Sequence, residues 1–322
     1  MKVSFYGVRG SVPSPLTGKQ VEEKIVKAIM SMKIDDGANI KELVQKLPFN
    51  LRSTYGGNTT CVEVRTDNNL PIIFDMGTGI RELGKSMIPE IIGNSGINGI
   101  ILQSHVHWDH LQGLPFWAPM FMSREKFNNY FMFYGGKSWE SELEHVLQGQ
   151  MSPPVFPINI EELRATAMKM EFFTIFDTWT KKIETELTIR ARKLFHPQET
   201  FGYSISTQNV KLVFTTDHEP YASGIPNGLA DLVDGSDVWI TDCQYTHDAY
   251  LGKKDGVQKL GWGHSYPEYI ANVAKECGAK KVVTTHHDPA STDIEIEMIA
   301  QKVQDLSGVQ TIAAYEGLVL EL

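Results

Sequence analysis

Ser104-His105-Val106-His107-Trp108-Asp109-His110 is the most informative stretch of this sequence, because four potential metal ligands fall within six residues. Imidazole is the commonest metal ligand in proteins and suits zinc, manganese and iron. Side chains alternate in an extended segment, so His105 and His107 lie on one side, and the next turn brings Asp109 and His110 to a neighbouring position. Because an apolar run at 99–102 precedes it, the stretch predicts a metal site at the end of a buried strand.

Further ligands are needed to complete two metal sites, and we expect them at the ends of other strands. In layered α/β proteins, the polar loops that follow buried strands are where sites are built. Three residues occupy this position: His196 after 188–194, Asp217 after 210–215 and His286 after 282–284. Together with the first stretch, they predict a site assembled from several strand ends.

The distribution of apolar runs predicts an α/β fold. Strands are expected at 1–8, 59–65, 71–74, 99–102, 188–194, 202–206, 210–215, 238–240, 282–284 and 317–322. Helices are expected within 16–50 and at 266–277 and 294–306. Strands followed by helices, in two halves, predict a two-sheet sandwich with helices outside. We expect one domain over 1–322 with insertions at about 16–50 and 114–170, the second part helical and part irregular.

Composition and charge argue against several classes of protein. The 322-residue chain is 42% hydrophobic, which allows a substantial core, and its net charge of −9 argues against a stable nucleic-acid partner. It has no N-terminal apolar signal segment and no run near the ~18 apolar residues of a membrane span. Cys61, Cys243 and Cys277 are too widely spaced to suggest a disulfide framework. We therefore expect a cytoplasmic protein with reduced thiols and no membrane partner.

A family resemblance is carried by the ordered residues His105-x-His107-x-Asp109-His110, His196, Asp217 and His286, which resemble the ligand motifs of the metallo-β-lactamase superfamily. Within it, the chain resembles the branch that contains tRNA 3′-processing endonucleases, phosphoribosyl cyclic phosphodiesterases and bacterial cyclic-nucleotide phosphodiesterases. The resemblance runs nearly end to end and includes Gly7-Val8-Arg9-Gly10-Ser11, Tyr55-Gly56-Gly57-Asn58-Thr59, Asp75-x-Gly77-Thr78-Gly79, Thr216-Asp217-His218-Glu219-Pro220, Gly263-His264-Ser265 and His286-His287-Asp288-Pro289. It implies an αββα sandwich.

The resemblance also implies two divalent metal ions, zinc or manganese, with iron compatible as well, because these ligand types do not fix the metal. One ion would be held by His105, His107, His196 and Asp217, and the other by Asp109, His110, Asp217 and His286. Asp217 would bridge the two ions. His287 is an alternative to the adjacent His286, and the resemblance favours His286.

His264 resembles the catalytic His of the phosphodiesterase branch that is not a metal ligand, and Asp242 resembles the acid that orients it. The implied catalytic set is therefore His264, Asp242 and the metal ligand Asp109. In the family pattern a His often precedes the acid, whereas Thr241 stands there in this chain. That difference leaves the detail of the proton relay open.

Other polar residues have less specific expectations. Asp75 is expected to accept the free N–H of a ligand His, or to form an Asx-type turn. Arg9 and Asn58 are expected to order loops rather than to contact substrate. His218 is expected either to reach phosphate or to hold Glu219, and we expect no role in the site for the two remaining histidines, His145 and His247.

The implied reaction is the hydrolysis of a small phosphodiester, with a 3′,5′-cyclic nucleotide as the leading substrate. Residues 148–157 and the aromatic insertion resemble cyclic-nucleotide phosphodiesterases more than tRNA endonucleases, which use a basic arm that this sequence lacks. The stretches 116–122 and 131–134 either line a base pocket or, as we favour, belong to the core or to a homodimer interface. Ribose 1,2-cyclic phosphate and RNA 3′ ends are alternative substrates. A thioesterase or lactonase, and a metal-binding sensor without activity, are more distant alternatives.

Overall fold

Two β-sheets of seven strands each form the centre of the protein. A computed structural model describes residues 1–33, 35, 37–137, 141–183, 187–254 and 256–322. The first sheet contains β1 (Lys2–Gly7), β2 (Cys61–Arg65), β3 (Pro71–Phe74), β4 (Asn98–Leu102), β5 (Tyr130–Gly135), β6 (Lys169–Thr174) and, last in the chain, β14 (Val319–Glu321). The second contains β7 (Thr180–Ile183), β8 (Leu187–Leu194), β9 (Thr200–Ser206), β10 (Lys211–Thr215), β11 (Val238–Asp242), β12 (Lys281–Thr285) and β13 (Gln310–Ala313).

Helices connect the strands of both sheets. They are α1 (Gly18–Ser31), α2 (Ile40–Lys46), α3 (Phe49–Arg52), α4 (Ile80–Asn94), α5 (Leu143–Gln150), α6 (Ile160–Thr166), α7 (Asn227–Val233), α8 (His247–Tyr250), α9 (Pro267–Glu276) and α10 (Asp293–Ser307). Apolar side chains of α4, α5 and α6 pack against the first sheet, and those of α7, α9 and α10 pack against the second. The layers are helix, sheet, sheet, helix, which confirms the αββα sandwich.

The inner faces of the two sheets pack against each other to form the central core. Phe74 at the end of β3 and Phe214 in β10 are fully buried, and their rings stack with centroids 4.4 Å apart. Burying a side chain of this size stabilises the fold by about 1.5–3 kcal/mol. This packing fixes the ends of β3 and β10, and with them the polar loops that follow.

Strand direction brings the polar loops to one edge of the sandwich. β3 runs parallel to β4, and β10, β11 and β12 lie side by side in parallel. β8 is antiparallel to β9, which is antiparallel to β10, so β8 and β10 point the same way. Because parallel strands end at the same edge of a sheet, the loops after β8, β10, β11 and β12 are neighbours.

The segment 114–170 differs from the part-helical, part-irregular insertion that we expected. Besides α5 and α6 it supplies β5 and the first two residues of β6, and these two strands continue the first sheet in parallel from β4. Phe131 and Phe133 of β5 are fully buried, as is Trp117, so these rings belong to the core and not to a base pocket. The segment 16–50 contains α1, α2 and the first two residues of α3. In the described part of the chain, no helix is both long and apolar enough to cross a membrane.

Candidate metal centre

The predicted ligands all lie in loops that follow strands. His105 and the short 3-10 turn Trp108–His110 come after β4, and His196 comes after β8. Asp217 follows β10, and His286 follows β12. The structure therefore brings together side chains that are as much as 181 residues apart in the chain (286 − 105).

One cluster consists of His105, His107, His196 and Asp217, whose potential ligand atoms lie within 4.8 Å of one another. His105 Nε2 is 2.9 Å from His107 Nδ1 and 3.4 Å from Asp217 Oδ2. His196 Nε2 is 4.0 Å from the same carboxylate oxygen. His105 and Asp217 are buried, whereas His107 is exposed, so this cluster opens to solvent on the His107 side.

The second cluster consists of Asp109, His110 and His286, with Asp217 beside them. His286 Nε2 is 3.1 Å from Asp109 Oδ2 and 3.2 Å from His110 Nε2. Asp217 Oδ1 lies 3.2 Å from His286 Nε2 and 3.4 Å from His110 Nε2. Asp217 thus presents Oδ2 to the first cluster and Oδ1 to the second, which is the geometry of a bridging carboxylate.

Both clusters have the chemistry of a divalent-metal site. His196 Nε2 and Asp217 Oδ1 are buried without a hydrogen-bond partner, and an unpaired buried polar atom is costly unless something binds it. The potential ligand atoms lie 2.9–4.0 Å apart. Four ligand atoms arranged as a tetrahedron around zinc, each about 2.0–2.1 Å from the ion, would lie about 3.4 Å apart, which is within this range. Burial lowers the pKa of His105 and lowers that of His196 to about 4, which keeps both imidazoles in the neutral form that binds metal.

Hydrogen bonds to the Nδ1 atoms of three ligand histidines orient their Nε2 atoms towards the clusters. Asp75 Oδ2 accepts from His110 Nδ1 at 2.8 Å, so His110 Nε2 faces the cluster. Thr200 Oγ1 lies 2.9 Å from His196 Nδ1, and Ser104 Oγ lies 3.0 Å from His105 Nδ1. Such partners fix ring orientation and tautomer in metal sites.

The backbone of three site residues is left-handed. Asp75 and His286 directly follow their strands, Asp217 lies two residues after β10, and their φ angles are 60°, 56° and 57° respectively. This conformation costs an ordinary residue about 1–3 kcal/mol, and such strain concentrates at functional sites. The positive φ turns Asp217 and His286 out of their strands and into the shared centre.

His264 and Asp242 form a pair beside the second cluster. His264 Nδ1 is 2.9 Å from Asp242 Oδ2, and the His264 ring stacks on that of His286 with centroids 5.0 Å apart. Burial lowers the pKa of His264, but the hydrogen bond to Asp242 and the nearby Asp217 outweigh it, so the net shift is upward.

The remaining predicted residues lie outside the clusters. His287 Nε2 donates to the Ala314 carbonyl at 2.9 Å, so His286 and not its neighbour faces the centre. Buried His218 lies 2.8 Å from Thr241 Oγ1 through its Nε2. Arg9 donates to the carbonyls of residues 56, 288 and 291, and Asn58 donates to a carboxylate at residue 316, so both order loops. His145 and His247 are not among the described groups that could hold a metal.

Sequence reasoning missed Gln103 as a supporting residue. Its side-chain amide donates to the carbonyls of His105 and His110 at 2.6 and 3.1 Å, which closes the ligand loop on itself. Gln103 is buried at the end of β4, directly after Leu102. The available signal in the sequence was an amide residue directly after the apolar run at 99–102.

Fold and site together define a divalent-metal hydrolase, and sequence comparison identifies the family. The Beta-lactamase superfamily domain matches residues 72–287, about two thirds of the chain. The protein therefore belongs to the metallo-β-lactamase superfamily and is a hydrolase of that fold.

Several known proteins are similar over most of their length. Ribonuclease BN of Cronobacter sakazakii is 22% identical over 299 residues, covering 80% of this chain and 92% of that protein. The short form of human tRNase Z has a TM-score of 0.59 at 19% identity and covers 100% of this chain and 99% of its own. A diphosphatase from the PhnP family has a TM-score of 0.62 at 18% identity, with coverages of 100% and 97%. The two structures show that the fold is shared.

Proposed function

We propose that the protein hydrolyses a small phosphodiester, and that the substrate is a 3′,5′-cyclic nucleotide opened to the nucleoside monophosphate. The observation that carries this proposal is the His264–Asp242 pair beside two ligand clusters that share Asp217. Phosphodiester hydrolysis needs both parts: a place where negative charge is offset and a proton donor for the leaving oxygen.

The ligand clusters fit two divalent cations, which when bound would activate a water molecule and offset charge on the phosphoryl oxygens. His105, His107 and His196 would hold one cation, Asp109, His110 and His286 the other, and Asp217 both. Protonation of the leaving oxygen would be carried out by side chains of the protein. As water attacks phosphorus and the P–O3′ bond breaks, His264 Nε2–H donates its proton to O3′. Before that transfer, Asp242 accepts a hydrogen bond from His264 Nδ1–H and stabilises the protonated ring.

Two exposed indole rings support a nucleotide substrate. Trp108 follows the ligand His107 and is 73% exposed, and Trp262 lies two residues before His264 and is 49% exposed. Aromatic faces stack on nucleobases with little sequence preference. Indoles in both loops beside the centre give the base a surface on which to stack.

RNA 3′ ends are the second candidate substrate, supported by the similarity to ribonuclease BN over 92% of that protein. The net charge of −9 favours the small substrate, because RNA binding depends on neutralising many phosphates. Ribose 1,2-cyclic phosphate is a further small phosphodiester compatible with the same chemistry.

The test is turnover of 3′,5′-cyclic AMP and cyclic GMP by protein loaded with manganese or zinc, followed by chromatography. His107→Ala is the inactive control, and His247→Ala is the matched control because its imidazole lies outside the described metal-binding groups. We expect nucleoside monophosphate from the wild type and His247→Ala only. Cleavage of a 3′-extended RNA or of ribose 1,2-cyclic phosphate without cleavage of cyclic nucleotides would refute the substrate assignment and leave the phosphodiesterase assignment standing.

A further inference from the structure

Glu219 lies two residues after the shared ligand Asp217, and its side chain is 2% exposed. Its carboxylate accepts three hydrogen bonds. Oε1 accepts from the Tyr250 hydroxyl at 2.6 Å and from the Gly261 N–H at 2.7 Å, and Oε2 accepts from the Gly263 N–H at 3.1 Å. Two of these three donors belong to the backbone directly before His264.

Within the loop at 261–263, the Trp262 N–H donates to the Lys259 carbonyl at 3.0 Å, and the N–H groups of the two glycines donate to Glu219. Gly261 and Gly263 have φ of +83° and +89°, a left-handed backbone that glycine adopts freely. A Cβ on Gly263 would lie 2.0 Å from His196 Cδ2, so the loop passes directly against a ligand ring. Glycines leave a backbone free to move, and here the Glu219 carboxylate binds the N–H groups of both.

Glu219 is itself anchored to the metal centre. Its backbone N–H donates to the Phe195 carbonyl at 2.8 Å, next to His196, and Asp217 lies two residues before it. One residue therefore connects the loops of two ligands with the loop of His264. Asp242 fixes the His264 ring from the β11 side. Asp242 also accepts from the Ser265 N–H at 3.2 Å, so it holds the backbone after His264, whereas Glu219 holds the backbone before it.

We infer that Glu219 is a positioning residue that holds the His264 proton donor in register with the metal centre. The inference rests on the proposed function, because it assigns His264 the protonation of the leaving oxygen. Displacement of a reacting group by about 1 Å lowers a rate by about 100-fold. A loop that carries the donor therefore has to be held closely, and the carboxylate does so without contacting the substrate.

Glu219→Gln is the most informative variant because it keeps the shape of the side chain. Whichever way the amide is oriented, its NH₂ group faces the N–H of Gly261 or Gly263, and two donors cannot pair. Tyr250→Phe is the matched control, since it removes the hydrogen bond that the Glu219 carboxylate accepts from outside the loop at 261–263.

The experiment compares a cyclic nucleotide with bis(p-nitrophenyl) phosphate, whose leaving group departs without a proton. In Glu219→Gln we expect kcat for the cyclic nucleotide to fall about 10- to 100-fold with KM little changed. The nitrophenyl ester should lose less than about threefold, two metal ions should remain by mass spectrometry, and amide exchange at 261–263 should accelerate. Tyr250→Phe should resemble the wild type in all four measurements.

Three outcomes would contradict the inference, and they separate the role of Glu219 from the proposed function. Equal losses on both esters in Glu219→Gln, or unchanged exchange of the loop amides, would refute the positioning role while the wild-type activity stands. Turnover of neither ester by the metal-loaded wild type would refute the proposed function, and the role of Glu219 as a support for a proton donor with it.

Discussion

Replacing His264 with Asn tests whether this ring donates a proton or binds a metal. An Asn amide N–H reaches the region of His264 Nδ1, which is 2.9 Å from Asp242 Oδ2, but provides nothing at the position of Nε2. The buried Asp242 carboxylate keeps a donor while the proton donor is lost. We therefore expect His264→Asn to lose turnover and keep both metal ions.

The size of each effect follows from the contacts. General acid catalysis contributes about 10²- to 10⁴-fold, or about 2.7–5.4 kcal/mol of barrier, and kcat for a cyclic nucleotide should fall by that factor. His264→Ala should also lower the free energy of unfolding by about 1–3 kcal/mol, because Asp242 loses a partner in a fully buried position. His264→Asn should lose less than about 1 kcal/mol.

The assay measures kcat, metal content by mass spectrometry and denaturant unfolding for both variants, with His247→Asn as the control. The alternative is that His264 binds a metal ion, because Asp217, Asp242, His264 and His286 also have potential ligand atoms within 4.8 Å of one another. If His264→Asn retained only one ion per chain, His264 would be a metal ligand and its assignment as proton donor would be wrong.

Two further substitutions test the ligand clusters. The two carboxylate oxygens of Asp217 face different clusters, and Asp217→Asn replaces one of them with an NH₂ group that cannot bind a cation, so we expect at most one tightly bound ion per chain. The control Asp67→Asn changes a carboxylate that is 82% exposed and should keep two ions. Two ions in Asp217→Asn would show that Asp217 does not bridge the clusters. Gly10→Ala places a Cβ 2.4 Å from His286 Nδ1, so it should weaken binding of the ion in the second cluster and leave the ion in the first unaffected. In the control Gly18→Ala the new Cβ meets no atom within 4 Å, and this variant should bind both ions like the wild type. Calorimetric titration of the metal-free protein measures both steps, and equal weakening of the two ions in Gly10→Ala would contradict the division into clusters.

Local signals in the sequence were sufficient for most strands of both sheets and for the ligand loops. The apolar run at 71–74 coincides with β3, and the runs before His196, Asp217 and His286 overlap β8, β10 and β12. Buried parallel strands are short and continuously apolar and end in polar loops, so their positions depend on residues that adjoin in the chain.

β5, β6 and α4 were not predictable in the same way. The run Tyr130-Phe131-Met132-Phe133-Tyr134 is apolar throughout, and such a run looks the same whether it is a buried strand, a pocket wall or an interface. Pro89 and two internal glycines interrupt the helical pattern of α4, which packs against the first sheet nonetheless. Burial against a sheet overrides weak local preference in both cases.

The class of fold and the ligand types could be read from local patterns, because His105, His107, Asp109 and His110 are close in the chain and need no long-range contact to be recognised. Folding was needed to show which of His286 and His287 faces the centre, that Asp217 presents one oxygen to each cluster, and that the Glu219 carboxylate contacts the loop before His264. These facts depend on strand pairing and on a left-handed backbone at single residues, which bring together groups that are distant in the chain. No local pattern records the distance between two loops that meet only when both sheets have formed.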